Sequence, residues 1–290
     1  MASSPSPASP SPAYIAASEN AGQFFWVVKS IRKFDTLELE GVLSSVVRLR
    51  QPDCADYREQ CFLATYYRTA GMIESFLRLD TPKHFQAAAM LARSLFELAV
   101  DLKLADKVPQ GFLKMVFFVD VEKLHRARQM IEFAHANPDR RIDVASQTEF
   151  VKKSAARIDT NRRVLWPPKK TGGNLLPLRH WSELHLSKRV ELLGEPFDEM
   201  YKFQYPRLSW YVHDGLTGVV NLPAETFPNV HGYATSLVIT CYTLILECVI
   251  REFKIDRAVE KIHKALKLAT LLPFSKDSEQ EDALIRELLG

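Results

Sequence analysis

The chain has 290 residues, 47% hydrophobic and 25% charged, proportions that exclude a collagen, a wholly disordered chain and a disulfide scaffold. Thirty-eight Lys and Arg against 35 Asp and Glu leave a formal charge of only +3, so no global field singles out nucleic acid or membrane as a partner. Glycine is scarce, 11 residues in all, roughly 4% against a usual 7%. Folds built on tight turns or glycine phosphate loops need more. The composition therefore predicts an all-α protein: a single bundle of about eight to ten helices spanning 19–290, preceded by a disordered tail over 1–18.

That tail is richest in serine and proline over 1–13, with no Lys or Arg. It lacks the basic and apolar regions of a signal peptide, and its composition cannot bury enough surface to offset ordering entropy. Phe24, Val27, Val28, Ile31, Phe34, Val42, Val46 and Leu49 then recur at mostly three- and four-residue intervals, predicting a helix over 23–50. Pro52-Asp53 interrupts it, and Asp53 is placed to cap a second helix over 54–79. Thr81-Pro82 signals a third, over 82–105: Thr caps, and Pro fits a first turn whose N–H has no helical partner. A fourth, over 110–136, stops at Asn137-Pro138.

Between 140 and 189 the charge changes. Twelve Lys and Arg face four Asp and Glu, a surplus of +8 that leaves −5 for the rest of the chain. Lys152, Lys153, Arg162, Arg163, Lys169 and Lys170 form the densest part, around the Pro- and Gly-rich loop 166–174. Such a segment is a solvated helical face, or it holds RNA phosphates with Trp166 and Trp181 available for stacking.

Residues 215–229 read as another loop. From 226 to 246 no residue is charged, and the following segment, 230–253, fits the buried central helix of a bundle. Pro228, Asn229, His231, Glu247 and several threonines argue against a membrane span, which with the rest predicts a cytoplasmic protein. Helices over 256–272 and from Ser278, where Ser-Glu-Gln-Glu has capping-box spacing, complete the chain. The helices 23–50 and 230–253 can pack internally or across a homodimer.

Cys54 and Cys61, and Cys241 and Cys248, are each seven apart and share a helical face. Reduced buried thiols are expected. No CxxC or Cys/His ligand spacing occurs, and no acidic or Cys ligands cluster with His180 and His185. No metal and no cofactor is expected.

Two segments carry candidate chemistry. In Arg93-Ser-Leu-Phe-Glu97, Arg93 and Glu97 share a face with Met90, Phe96, Val100 and Leu104, while leucines occupy the opposite face. Two charges on an apolar surface form an internal ion pair or line a groove. In Tyr205-Pro-Arg-Leu-Ser-Trp-Tyr-Val-His213, Ser209 and His213 are four apart on one face. His213 is a core or C-capping histidine, or a catalyst.

The Arg93-Ser-Leu-Phe-Glu97-Leu run, followed by Tyr205-x-x-Leu208-Ser209-x-x-Val212-His213, resembles a family of prokaryotic helical proteins known only as a domain of unknown function. The resemblance covers 54–253 and implies an all-helical fold with Arg93, Glu97, Tyr205, Ser209 and His213 as the polar positions. Arg207-x5-His213 is also similar to the signature of HEPN-type helical nucleases. That resemblance implies metal-independent RNA cleavage, with His213 in acid/base work and Arg207 stabilising phosphate charge. Against it, positions six apart on a straight helix lie about 120° from each other, and Leu208 replaces the usual polar residue. The first reading is a binding or regulatory module; the second is a HEPN-like endoribonuclease in phage defence or a toxin system.

Overall fold

A computed structural model describes residues 12–49, 56–138, 143–167, 178–213, 222–224 and 226–255. Among them are ten α-helices and no strand. The first, α1 (Pro12–Asp35), passes through a π-helical turn (Thr36–Glu40) into α2 (Gly41–Leu49). Thus α1 begins inside the stretch expected to be disordered, and the helix predicted over 23–50 is one rod with a widened turn in it.

The second helix, α3 (Tyr57–Phe76), is capped by Asp56, whose carboxylate accepts from the Arg58 N–H at 3.2 Å. Asp53 lies outside the described residues. At Thr81-Pro82 the start is staggered. Pro82–His84 forms a 3-10 turn before α4 (Phe85–Lys107), and the Thr81 hydroxyl makes no capping bond. It faces His84 Nδ1 at 3.4 Å instead.

A tight turn joins α4 to α5 (Gly111–Ala136), with Gln110 in the left-handed region at φ 57°. A Cβ added at Gly111 would sit 2.6 Å from the Ala105 Cα, a distance no real contact allows. Gly111→Ala should therefore cost about 1–3 kcal/mol through backbone displacement, measured by urea unfolding. No loss would mean that α4 and α5 can separate freely at this turn.

Next comes α6 (Val144–Leu165), with Asp143 accepting from the Ser146 N–H at 3.0 Å as its cap. It runs back along α5 as an antiparallel hairpin. Leu124, Ile158, Leu165, Trp166 and Trp181 fill a small second core at its base. Three short helices follow: α7 (Leu186–Leu193), α8 (Phe197–Phe203) and α9 (Tyr205–His213).

The last described helix, α10 (Thr226–Glu252), is the centre of the main core and is packed by α1, α3, α4 and α9. It starts four residues earlier than its apolar run, because Pro228 sits in the first turn where a missing N–H costs nothing. It is long and apolar enough to cross a membrane, and 67% of its most apolar window is buried inside the protein. Thr235, Thr240 and Thr243 return their hydroxyls to carbonyls one turn back, so none needs a partner outside the helix.

His231 is buried on α10 in a cluster with the rings of Phe25 and Phe76. Its Nε2–H donates to the Leu79 carbonyl at 2.6 Å, while Nδ1 is buried without a partner among the described residues. Burial pushes its pKa below the ordinary 6.5. The unfolded chain then binds the proton first, so stability falls as pH drops below about 6.5. His231→Asn, which keeps a donor for Leu79, should flatten that part of the stability–pH curve. An unchanged slope would place the acid sensitivity elsewhere.

The C-terminal helices expected over 256–272 and from Ser278 lie outside the described residues, as do Cys54 and the glycine-containing stretches 168–177 and 214–221. Cys61 and Cys241 are buried free thiols, as the helical spacing implied, and Cys248 is half-buried. Burial pushes the Cys61 thiol up to about 11.

Candidate functional site

Arg93 and Glu97, on adjacent turns of α4, meet α9 at one phenol. Arg93 Nη2 donates to the Tyr205 hydroxyl at 2.9 Å, and that hydroxyl donates to Glu97 Oε1 at 2.7 Å. The guanidinium also lies 4.8 Å from the Tyr205 ring centroid. The two charges are thus joined through a third residue. Burial and the Glu97 carboxylate raise the Tyr205 pKa, against the pull of Arg93, so the phenol stays a neutral bridge. Ser209 takes no part, because its hydroxyl donates to the Tyr205 carbonyl at 3.0 Å within α9. The bridge pins α9 to α4 and fixes which of its faces turns outward.

That outward face lines a cleft of about 350 Å³ with the first turns of α10. Leu208 forms its buried floor, and Arg207, Trp210, Tyr211, Asn229 and Tyr233 its walls. The Arg207 guanidinium lies 5.1 Å from the Tyr233 ring centroid. Trp210 is 62% exposed and Tyr233 43%, high values for rings of that size. Tyr211 is held in place by an edge contact to Phe85 at 5.8 Å and by Gln86, whose amide donates to its carbonyl at 3.4 Å. The positive end of the 27-residue α10 opens beside the same cleft. A cation, exposed rings and a helix N-terminus together suit a flat, anionic ligand.

Sequence reading singles out Arg207 but not Tyr233 or Asn229, which reach the cleft only because α10 folds back beside α9. His213 closes α9, and its side chain is outside the described atoms. Regular helix over Tyr205–His213 keeps positions 207 and 213 about 120° apart around the axis. The predicted polar set is therefore divided: Arg93, Glu97 and Tyr205 form the bridge, and Arg207 faces the cleft.

The basic segment is divided too. Lys152, Lys153 and Arg163 are exposed on α6, with Lys153 paired to Glu149 at 3.0 Å. Arg162 is half-buried in a groove with His125, Arg128 and Asp159, where burial lowers its pKa. Arg128 there pairs with Asp159 at 3.1 Å. Lys169 and Lys170 lie outside the described residues.

Two further clusters escape sequence reading. Asp101 Oδ2 faces His180 Nε2 at 3.0 Å, and His180 Nδ1 faces the Ser182 hydroxyl at 2.7 Å. The order imitates a catalytic relay. Arg189, however, is buried against the same carboxylate and lies 3.0 Å from Nε2. Asp101 thus holds the guanidinium on one oxygen and the imidazole on the other, which makes it the anchor of a structural ion-pair cluster. The cluster latches residues 178–185 and α7 onto α4. His185 is exposed and does not join it, and among the described residues no three His, Cys, Asp or Glu gather as metal ligands.

The second cluster holds the most deeply buried charge among the described residues. Asp35, with no exposed surface, accepts from the Tyr66 hydroxyl at 2.7 Å, from Arg32 Nη1 at 2.8 Å and from the Tyr242 hydroxyl. Arg32 also reaches Glu74 at 2.7 Å and Glu40 at 3.3 Å. Burial pushes the Asp35 carboxyl up, against these donors, and pushes both phenols up as well. Asp35 is the last residue before the π turn, which widens the helix where α1, α3 and α10 converge.

No curated protein and no solved structure matches the chain. A family model does, over residues 61–222, a span that holds the whole Arg93–Tyr205–Glu97 bridge and the α9 wall of the cleft. The chain belongs to DUF5677, a family of unknown function.

Proposed function

We propose that the protein is a helical binding module for single-stranded RNA, with bases stacking in the cleft between α9 and α10. The observation that carries this reading is Arg207 over Tyr233 beside the exposed Trp210. Base–aromatic stacking is worth about 1–3 kcal/mol per base and tolerates any sequence. A guanidinium beside it takes a backbone phosphate. Exposed Lys152, Lys153 and Arg163 on α6 offer further phosphate contacts. Tyr205, held by Arg93 and Glu97, positions α9 and does not touch the ligand.

A second reading, metal-independent cleavage, is favoured by Arg207 standing in an open cleft with His213 later on the same helix. Helix geometry separates those two positions within one copy, so binding without cleavage is the better fit.

The test is incubation of the full chain with labelled unstructured RNA in EDTA, followed by anisotropy and by denaturing gel. Salt-sensitive binding with intact RNA supports the module. Cleavage abolished by His213→Ala would replace it with the nuclease, and no binding at low salt would overturn both.

A further inference from the structure

The α5–α6 hairpin carries an exposed stripe that the cleft does not use. Val119, Lys123, Arg126, Met130 and Phe133 follow one another at intervals of four, three, four and three along α5, so they share one line on the helix. All are exposed, Val119 at 50% and Phe133 at 52%. Arg157 reaches across from α6 to Asp120 at 3.4 Å, which brings the Lys153 and Val164 side of α6 to the same flank. Val164 is 70% exposed. Two basic side chains flanked by three exposed apolar ones over such a length fit an acidic amphipathic helix better than bare solvent.

The sequence itself supplies a segment of that pattern. Residues 277–290 hold Asp277, Glu279, Glu281, Asp282 and Glu287 against the single basic Arg286. Leu284 and Leu288, and Ile285 and Leu289, stand four apart, which is the helical apolar spacing. The point of departure is also right. Glu252, at the end of α10, pairs with Arg58 Nε at 2.7 Å, and the Arg58 guanidinium lies 4.9 Å from the Phe112 ring. Phe112 is two turns before Val119 on the same line of α5, so Glu252, three residues before the end of the described chain, lies near the root of the stripe. As a helix 277–290 would measure ~21 Å, the same as the rise from Val119 to Phe133. Residues 256–276 give ample reach.

We infer that residues 277–290 dock along this α5 stripe in the same molecule, with the leucines on Val119, Met130 and Phe133 and the acids against Lys123 and Arg126. The inference does not depend on the RNA reading.

A benzophenone amino acid at Leu288 in the full chain, irradiated at low concentration, tests it. Cross-links within one molecule to the 119–133 stretch or to Val164 are expected. Lys123→Glu with Arg126→Glu should cut their yield at least tenfold, and Glu281→Lys with Glu287→Lys in the same chain should restore it. These positions are exposed, and an unchanged circular dichroism spectrum checks that the fold survives. Cross-links confined to other surfaces, or formed only between two molecules, would overturn the assignment.

Discussion

Replacing Asp35 by alanine should lower the unfolding free energy by about 3–5 kcal/mol, the usual cost of breaking a buried ion pair from one side. The substitution strips three donors of their acceptor at once: Arg32 Nη1, the Tyr66 hydroxyl and the Tyr242 hydroxyl. The two phenols have almost no exposed surface, so neither can turn to water. Tyr242→Phe removes only one donor and should cost about 1–3 kcal/mol. Because the groups share one carboxylate, Asp35→Ala and Tyr242→Phe together should cost less than their sum. Urea unfolding of the two single variants and the double variant measures this. Strict additivity, or a loss below 1 kcal/mol for Asp35→Ala, would show that the cluster does not act as a unit.

Arg207→Ala and Trp210→Ala should each weaken single-stranded RNA binding about tenfold or more without altering stability. Trp210 is mostly exposed, so its loss removes a stacking platform and little packing; the stacking alone accounts for about 1–3 kcal/mol. Arg207 contributes charge, and its removal should also shallow the salt dependence, since each phosphate contact on a single strand adds about 0.7 of a unit of slope. Arg207→Lys should recover part of the affinity but not the planar stacking on Tyr233. Tyr205→Phe separates the bridge from the cleft. It keeps the rings and the Arg93 guanidinium over the ring at position 205 but removes the hydroxyl that joins Arg93 to Glu97, so it should reduce stability more than intrinsic affinity. Anisotropy titrations at two salt concentrations, with urea unfolding for stability, check all four.

Much of the fold was legible because it follows from periodicity and a few stop signals. Asn137-Pro138 ended α5, Thr81-Pro82 opened the turn before α4, and the uncharged run beginning at Thr226 became the core helix. The π turn was not legible, since its sequence keeps the apolar spacing of an α-helix on both sides. Asp35 was hidden for the same reason: one acid among apolar positions reads as surface until Tyr66 and Tyr242 arrive from other helices. Arg93 and Glu97 stood out as charges on an apolar face, yet their partner Tyr205 lies far along the chain. Tyr233 read as one more apolar position of α10. Its role in the cleft depends on the packing of α9 against α4 and α10, which no local pattern encodes.

Tryptophan fluorescence during an RNA titration, run on the full chain and on Trp210→Phe side by side in EDTA, tests the cleft most directly. Trp166 and Trp181 are buried in the second core and Trp26 is half-buried against the main core, so the quenching that Trp210→Phe removes is the part that reads out stacking in the cleft. RNA should quench the native protein saturably, at the concentration where anisotropy reports binding, and that quenching should vanish in Trp210→Phe. Binding without quenching, or quenching that persists in Trp210→Phe, would contradict a site between α9 and α10.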